Sequence, residues 1–193
     1  MARYDKQHKD QTRRRILETA GRRIKGDGVS GSGVSTLMTD AGLTNGAFYA
    51  HFTSKADLVA NVLGAQLEEQ RAAAVELTPG SGAVETYVRT YLSPAHRDVP
   101  SDGCPSAALL DEIIRCDDTV RQTYTEGVLS VVDVIASWLG SDDAESARLL
   151  TLATFAGMVG TLQMARAITD PVLSDALLEQ GVQTALTQLG IKP

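Results

Sequence analysis

The chain has 193 residues, 43% of them hydrophobic, which suffices for a core in one domain or in a small domain joined to a larger one. No apolar run approaches the ~20 residues of a membrane span, the N-terminus lacks the apolar stretch of a signal peptide, and two cysteines are too few for a disulfide scaffold, so we expect a cytoplasmic protein. Residues 1–60 carry ten Lys and Arg against six Asp and Glu, whereas residues 61–193 carry eight against eighteen. This charge fits two interpretations equally: an anionic partner for the basic N-terminal segment, or a solvated basic helix face.

Apolar residues recur at helical spacing along nearly the whole chain, and strand-like alternation is missing. The expected fold class is therefore all-α, with about nine helices. We expect a glycine-rich loop from Gly26 to Gly33 and a proline-rich loop from Ser93 to Pro105. The predicted helices cover about 10–25, 34–41, 44–51, 54–76, 83–92, 105–115, 118–139, 143–168 and 172–189.

The segment from Val34 to Phe52 has the pattern of a helix-turn-helix unit. Two short amphipathic helices meet at a glycine-containing turn, Ala41-Gly42-Leu43. The second helix is expected to bury one side and to expose another whose residues are small or carry hydrogen-bonding groups. Such a surface can enter a DNA major groove about 12 Å wide and present donors and acceptors to base edges. The expected buried residues are Leu43, Ala47 and Phe48, and the expected exposed residues are Thr44, Asn45, Gly46 and Tyr49.

Three segments around this unit resemble the TetR family of one-component repressors. They are residues 12–20, 33–52 and 54–58, and the run Ala47-Phe48-Tyr49-Ala50-His51-Phe52 with Ser54-Lys55 is the most specific part. The similarity covers about residues 10–63. Two positions depart from the family pattern, because Gly33 stands where Ser or Thr usually caps the second helix and Ile24 stands where Phe is usual.

The resemblance implies a homodimer whose two recognition helices enter successive major grooves of a palindromic DNA operator. It also implies a C-terminal domain that binds a small-molecule effector, so we expect a ligand-released repressor without enzymatic activity, cofactor or membrane partner. A DNA-binding domain is expected over residues 1–53, and a ligand-binding and dimerisation domain over residues 54–193. Carried over by position, the base-facing residues are Thr44, Asn45, Gly46 and Ala47, and the phosphate-binding residues are Ser35, Thr36, Tyr49, His51 and Lys55.

The segment from Gly26 to Gly31 satisfies the pattern G-x-G-x-x-G of dinucleotide-binding loops. Such a site requires a strand before the glycines and a βαβ unit around them, whereas an arginine-rich helix precedes them here. We interpret these glycines as a tight, flexible turn between the first two helices.

Residues 149–162 are apolar on almost every side of their predicted helix, as expected for a helix buried on more than one face. Small residues recur there at i, i+3, i+4 and i+7, and the last helix adds further apolar positions. By the resemblance, these two helices form a four-helix bundle between protomers; the alternative is an ordinary intramolecular core. The predicted interface residues are Ala153, Ala156, Gly157, Gly160, Leu173 and Leu177.

Aromatic and methionine residues of the C-terminal domain are candidates for the effector cavity, although such residues are more often core. These candidates are Tyr91, Tyr124, Trp138, Phe155 and Met158. Cys104 is a candidate of another kind, because Pro105 suits a first helical position and places the thiol at the N-cap, where the helix dipole favours a thiolate.

The segment Gly103-Cys104-Pro105 is similar to a branch of the TetR family that includes electrophile- or thiol-responsive repressors. The alternative is a structural cysteine in a tight helix entry, and the nearby Asp98 and Asp102 oppose thiolate formation. Two other functions compete: a thiol enzyme that uses Cys104 with His96, and a helical binding protein whose N-terminal domain does not bind DNA. The second cysteine lies twelve residues from Cys104 without clustered histidines, so we expect no metal site.

Overall fold

The computed structural model describes residues 2–192, with side-chain surroundings from residue 7 onward. The described residues form nine α-helices and no strand, which confirms the predicted fold class. One 3-10 helix, Asn45–Ala50, lies between the second and third α-helices, and another, Pro100–Asp102, lies between the fifth and sixth. The α-helices are α1 (Ala2–Gly31), α2 (Val34–Asp40), α3 (Lys55–Val75), α4 (Ser81–Tyr91), α5 (Pro94–Asp98), α6 (Pro105–Ile113), α7 (Asp118–Ser137), α8 (Ala144–Ala167) and α9 (Pro171–Gln188).

An aspartate caps the N-terminus of each of the last three helices. Asp117, Asp143 and Asp170 each accept a hydrogen bond from a backbone N–H two or three residues further on, the shortest of each measuring 2.9–3.1 Å. Each carboxylate satisfies a donor that the first helical turn leaves unpaired, and it lies at the positive end of the helix dipole. These caps confirm the predicted breaks before α7, α8 and α9.

The predicted start of the first helix is wrong, whereas its predicted end lies close to a kink in the chain. Helix α1 begins at Ala2 rather than near Asp10. At Gly28 the chain kinks, and a second helical stretch reaches Gly31 within the segment that we expected to be a loop. Only Gly28 leaves the helical conformation, with φ +82° and ψ 161°. A distant contact holds the continuation in place, because the Ser30 N–H donates to the Glu112 carboxylate at 3.1 Å. Gly28 therefore provides the predicted turn, while the residues after it are helical rather than in a loop.

The expected loop between Ser93 and Pro105 is also partly helical, since it contains α5 and the second 3-10 helix. The Ser93 hydroxyl accepts from the His96 N–H at 3.2 Å and caps α5. Pro94 and Pro100 occupy the first turns of the two short helices. Proline is compatible with that position because it has no N–H to leave unpaired.

Two clusters of buried apolar side chains lie along α3. The first joins α1, α2, the 3-10 helix and the start of α3, and it also includes Leu109, Ile113 and Val120 from α6 and α7. The second is built mainly from α4, α7, α8 and α9. We call residues 2–53 the head and residues 54–192 the body; the domain boundary between them stays a prediction. Within residues 2–192, no helix combines the length and apolar character needed to cross a membrane.

Candidate nucleic-acid interface and cavity

The turn between α2 and the 3-10 helix is closed by Gly42. Its φ of +67° is a left-handed conformation that residues with a Cβ rarely adopt. The Gly42 N–H donates to the Thr39 carbonyl at 2.9 Å, and the Leu43 N–H donates to the Met38 carbonyl at 2.8 Å. These two bonds end α2 in the Schellman pattern and direct the chain into the 3-10 helix. The predicted helix-turn-helix unit is therefore confirmed.

Two buried phenylalanines hold the 3-10 helix against the head. Phe48 and Phe52 are 1% and 2% exposed, and their ring centroids lie 5.7 Å apart. Tyr49 meets the Phe48 ring edge-on, with centroids 5.2 Å apart, yet 74% of it is exposed. The predicted base-facing residues are the exposed Thr44, Asn45 and Gly46 and the half-buried Ala47, whereas Tyr49 was predicted to bind phosphate. They share one outward surface, which we call the recognition surface together with Tyr49.

The predicted phosphate-binding residues lie beside the recognition surface at helix starts. Ser35 and Thr36 are exposed in the first turn of α2, and Lys55 is the first residue of α3. The Ser54 hydroxyl accepts from the Asp57 N–H at 3.0 Å, which confirms half of the predicted capping box. The other half differs, because the Asp57 carboxylate accepts from the N–H of residue 53 rather than from Ser54.

Arg13 of α1 supports this surface, although sequence reasoning did not single it out. Its guanidinium lies 4.6 Å from the Phe52 ring centroid and donates to Asn61 Oδ1 at 2.7 Å. It also donates to the carbonyl of His51 at 3.5 Å. The available signal was a run of three arginines, and such a run does not show which member faces the ring.

His51 contributes no positive charge to the recognition surface at neutral pH. Burial lowers the pKa of His51, and the positive charges of Lys9 and Arg13 lower it further. Its Nδ1 is buried and has no hydrogen-bond partner within the described part of the chain. The ring is therefore suited to donate a neutral N–H to a phosphate oxygen.

A cavity of about 520 Å³ lies between the end of α1, the helices α3 and α4, and the segment that leads into α6. This volume falls within the range of about 300–1,000 Å³ that is typical of small-molecule pockets. We call it the Cys104 cavity. It brings together two of the predicted sensor residues, Cys104 and Tyr91. Its lining is Lys25, Gln66, Glu69, Gln70, Ala73, Ala74, Leu77, Thr86, Tyr87, Thr90, Tyr91, Ser93, Ala95, His96, Val99, Asp102, Gly103, Cys104 and Pro105.

Cys104 is the N-cap of α6, with Pro105 at the first helical position, as predicted. Its Sγ–H donates to Gln70 Oε1 at 3.4 Å, and the residue is 7% exposed. Its backbone N–H donates to His96 Nε2 at 2.9 Å, while His96 Nδ1 donates to the Tyr91 carbonyl at 2.7 Å. His96 is thus near Cys104, as expected for a thiol enzyme, but both of its ring nitrogens are bonded to backbone groups. The partner of the thiol is an amide oxygen, which is not a general base.

The other predicted sensor residues do not line the Cys104 cavity. Trp138, Phe155 and Met158 are buried in the core of the body. Tyr124 packs between the two cores and donates its hydroxyl hydrogen to Ser106 Oγ at 3.1 Å. These residues recur at helical spacing because they pack in the core, not because they line a pocket.

Three contacts tie the end of α1 to the segment around Cys104. Lys25 Nζ donates to the Gly103 carbonyl at 2.7 Å, and Arg22 pairs with Asp102 at 3.0 Å. The third contact is the bond from Ser30 to Glu112 described above. Burial lowers the pKa of Lys25, which also lines the Cys104 cavity. The cavity wall is therefore bonded directly to the first helix of the head.

A face of α8 and α9 carries small and apolar side chains that the described chain leaves uncovered. Ala153, Ala156 and Gly157 are exposed, and 55% of Leu173 is exposed. The other two predicted interface residues, Gly160 and Leu177, are half-buried. A Cβ placed on either glycine would meet no atom within 4 Å. An intramolecular core therefore does not account for this face, which we call the small-residue face.

These features define a helix-turn-helix protein: a basic head that exposes a short helix, joined to a larger helical body with its own cavity. Residues 16–62 match the family described as bacterial regulatory proteins, tetR family. The match covers most of the head and the first turns of α3. A curated relative, the HTH-type transcriptional regulator AcrR of Shigella flexneri, is 38% identical over 77 residues. This match covers 40% of the present chain and 35% of AcrR, so it spans about a third of the relative's length.

Solved structures of regulators share the whole fold. The reduced form of Escherichia coli NemR has a TM-score of 0.78 at 18% identity, covering 92% of this chain and 96% of that one. A TetR-family regulator from Agrobacterium tumefaciens gives 0.74 at 20% identity, covering 91% and 97%. Bacillus subtilis FadR in complex with stearoyl-CoA gives 0.63 at 18% identity, covering 87% and 96%. At these identities the likeness shows the fold. The resemblance of Gly103-Cys104-Pro105 to an electrophile-responsive branch stays a prediction.

Proposed function

We propose that this chain is a cytoplasmic DNA-binding transcription regulator. It acts as a repressor that binds a palindromic operator as a homodimer and releases it when a small molecule enters the Cys104 cavity. The observation that carries this proposal is the recognition surface, an exposed set of hydrogen-bonding and small residues on a helix fixed by Phe48 and Phe52. The surrounding excess of Lys and Arg in residues 1–60 suits an anionic partner.

The small-residue face supports the homodimer. A two-fold interface uses the same patch on both subunits, and small side chains allow two helices to approach closely. Exposed Leu173 and the neighbouring Val172, 77% exposed, provide apolar surface at the start of α9. A dimer built there presents two recognition surfaces, which suits half-sites about 34–36 Å apart on one side of the duplex.

The contacts of α1 support release by a ligand. Because Lys25 and Arg22 bond to Gly103 and Asp102, a ligand that displaces this part of the cavity wall also displaces the end of α1. Movement of α1 changes the position of the head on the body. The energetic requirement is that the ligand prefers the displaced arrangement, since only differential affinity shifts the equilibrium. FadR with stearoyl-CoA is a protein of this fold in complex with a small molecule.

The roles of Asn45 and Lys55 can be separated by two substitutions. Lys55→Ala should weaken binding to an upstream palindrome and to its shuffled sequence alike, and should lower the salt slope by about 0.9 for each lost phosphate contact. Asn45→Ala should instead reduce the preference for the palindrome by about 5- to 150-fold, because a base contact carries about 1–3 kcal/mol of discrimination. Fluorescence anisotropy with labelled DNA at several salt concentrations measures both quantities.

The matched control is Lys192→Ala, which removes one exposed cation from the far end of the described chain. It should leave both the affinity and the salt slope unchanged. Equal effects of Lys55→Ala and Lys192→Ala would contradict the assigned phosphate contact. Unchanged discrimination in Asn45→Ala would contradict the assigned base contact.

A further inference from the structure

Two buried polar atoms of the cavity lining, the Tyr91 hydroxyl and Gln66 Oε1, have no hydrogen-bond partner among the described residues, whereas Gln70 and Lys25 are paired within the protein. Gln70 joins two of them, because its Oε1 accepts from Cys104 Sγ and its Nε2 donates to the Tyr87 hydroxyl oxygen at 2.8 Å. Lys25 donates to a backbone carbonyl. In contrast, the Tyr91 hydroxyl is buried and has no hydrogen-bond partner among the described residues.

An unpaired hydroxyl in this position is costly. Only 5% of Tyr91 is exposed, and a buried polar group without a partner destabilises a protein by about 1–3 kcal/mol. Native structures pair nearly all such groups, and an exception calls for an explanation such as a ligand. Tyr91 lines the cavity, and an O–H donor there requires an acceptor atom. Ala73, Leu77 and Val99 supply apolar wall around the polar groups.

The charges around the cavity favour an uncharged occupant. Burial raises the pKa of both Tyr87 and Tyr91, so each phenol stays a neutral donor at physiological pH. The carboxylates of Glu69 and Asp102 line the wall and would repel an anion, whereas the ammonium of Lys25 would repel a cation. Carbonyl oxygen is a common neutral acceptor that matches the phenolic donor of Tyr91, the tyrosine hydroxyl that has no partner within the described residues.

We propose that the Cys104 cavity binds an uncharged, mainly apolar compound with a carbonyl oxygen, and that the Tyr91 hydroxyl donates a hydrogen bond to that oxygen. That such binding releases DNA rests on the proposed function. The binding step itself requires no DNA. Among apolar compounds of similar size, the cavity then binds those that carry a hydrogen-bond acceptor for Tyr91 more tightly. Its ring, stacked at 6.1 Å on Tyr87 and edge-on at 5.4 Å to Phe155, fixes the direction of the hydroxyl.

The test uses the neutral fluorescent ketone 6-propionyl-2-(dimethylamino)naphthalene and the full chain without DNA. Trp138 is the only tryptophan, and its ring centroid lies 6.3 Å from that of Tyr87 in the cavity wall. Energy transfer from Trp138 to the naphthalene therefore reports binding to the protein, and the Tyr91→Phe comparison assigns the binding to this cavity. We expect saturable transfer, and Tyr91→Phe should weaken binding of the ketone about tenfold, the loss of one buried hydrogen bond.

Three comparisons decide between the possible outcomes. Tyr124→Phe, which removes a hydroxyl outside the cavity, should bind the ketone as the unmodified protein does. The analogue with a propyl group in place of the propionyl group should bind more weakly than the ketone, and equally to the unmodified protein and Tyr91→Phe. The naphthalene carboxylate of similar size should bind more weakly than the ketone.

Four results would overturn the proposal. The first two are the absence of saturable transfer with the ketone, and equal affinities of the unmodified protein and Tyr91→Phe for the ketone. The other two are tighter binding of the carboxylate than of the ketone, and equal affinities of the unmodified protein for the ketone and the propyl analogue. The last result means that water alone satisfies the hydroxyl. None of these measurements depends on DNA binding. A failure of the ligand test therefore leaves the proposed regulator function intact, and a failure of the DNA-binding test leaves the proposed ligand binding intact.

Discussion

Replacing Gly157 by arginine is expected to convert the protein to a monomer that binds its operator about 100-fold more weakly, because a dimer gains the second half-site at a high effective concentration. Gly157 lies in the middle of the small-residue face, and a side chain there meets nothing in the protomer itself. In a two-fold interface the substitution occurs twice, so it introduces two long cations into one close contact.

The monomer itself should fold normally. Glycine in an exposed helix interior costs about 1 kcal/mol relative to good helix formers, so Gly157→Arg should stabilise α8 rather than disrupt it. Sedimentation equilibrium, circular dichroism and anisotropy with operator DNA measure the three quantities. The control is Ala72→Arg, which introduces the same side chain at an exposed position of α3. A Gly157→Arg protein that stays dimeric, or a monomer with full operator affinity, would contradict the assigned interface.

Phe48→Ala and Tyr49→Ala should both abolish tight DNA binding, but for different reasons. Phe48 is 1% exposed, and truncating a buried Phe costs about 3–5 kcal/mol through lost burial and a remaining cavity. For a chain of this length, each kcal/mol lowers Tm by about 2–4 °C, so Phe48→Ala should melt about 6–20 °C below the unmodified protein. Tyr49 is 74% exposed, and its removal should hardly change Tm.

Thermal melts and anisotropy on the same preparations separate these two effects. The pair serves as its own control, since the residues are adjacent and both are aromatic. A large fall in Tm for Tyr49→Ala would mean that this ring is a core residue. Full DNA affinity for Tyr49→Ala at an unchanged Tm would remove it from the recognition surface.

The sequence predicted those elements whose signals are local. The left-handed Gly42, the cap at Ser54 and the aspartates before α7, α8 and α9 each act within a few residues of their own position. The predicted bounds of the helices that begin or end at these residues are therefore close to the observed bounds. The recognition surface was also predictable, because the burial of Phe48 determines which side of a short helix faces outward.

The features that escaped prediction depend on contacts between distant parts of the chain. The residues after the kink at Gly28 are helical where a loop was predicted, and Ser30 among them bonds to Glu112, which is 82 residues away. Lys25 belongs to the Cys104 cavity only because its ammonium reaches Gly103, 78 residues further on. Spacing and composition carry no information about such pairs. For the same reason, the sequence alone does not show which aromatic residues of the body lie in the core and which line the cavity.

The most direct test of the central claim is a titration of the unmodified protein against a labelled palindrome from the DNA upstream of its own coding region, at several salt concentrations. We expect two protomers per palindrome, an affinity at least about 10³-fold above that for a shuffled sequence, and a log–log salt slope of about −0.9 for every phosphate contacted. Equal affinity for the palindrome and the shuffled sequence, or binding that does not weaken as salt rises, would contradict the assignment of the recognition surface.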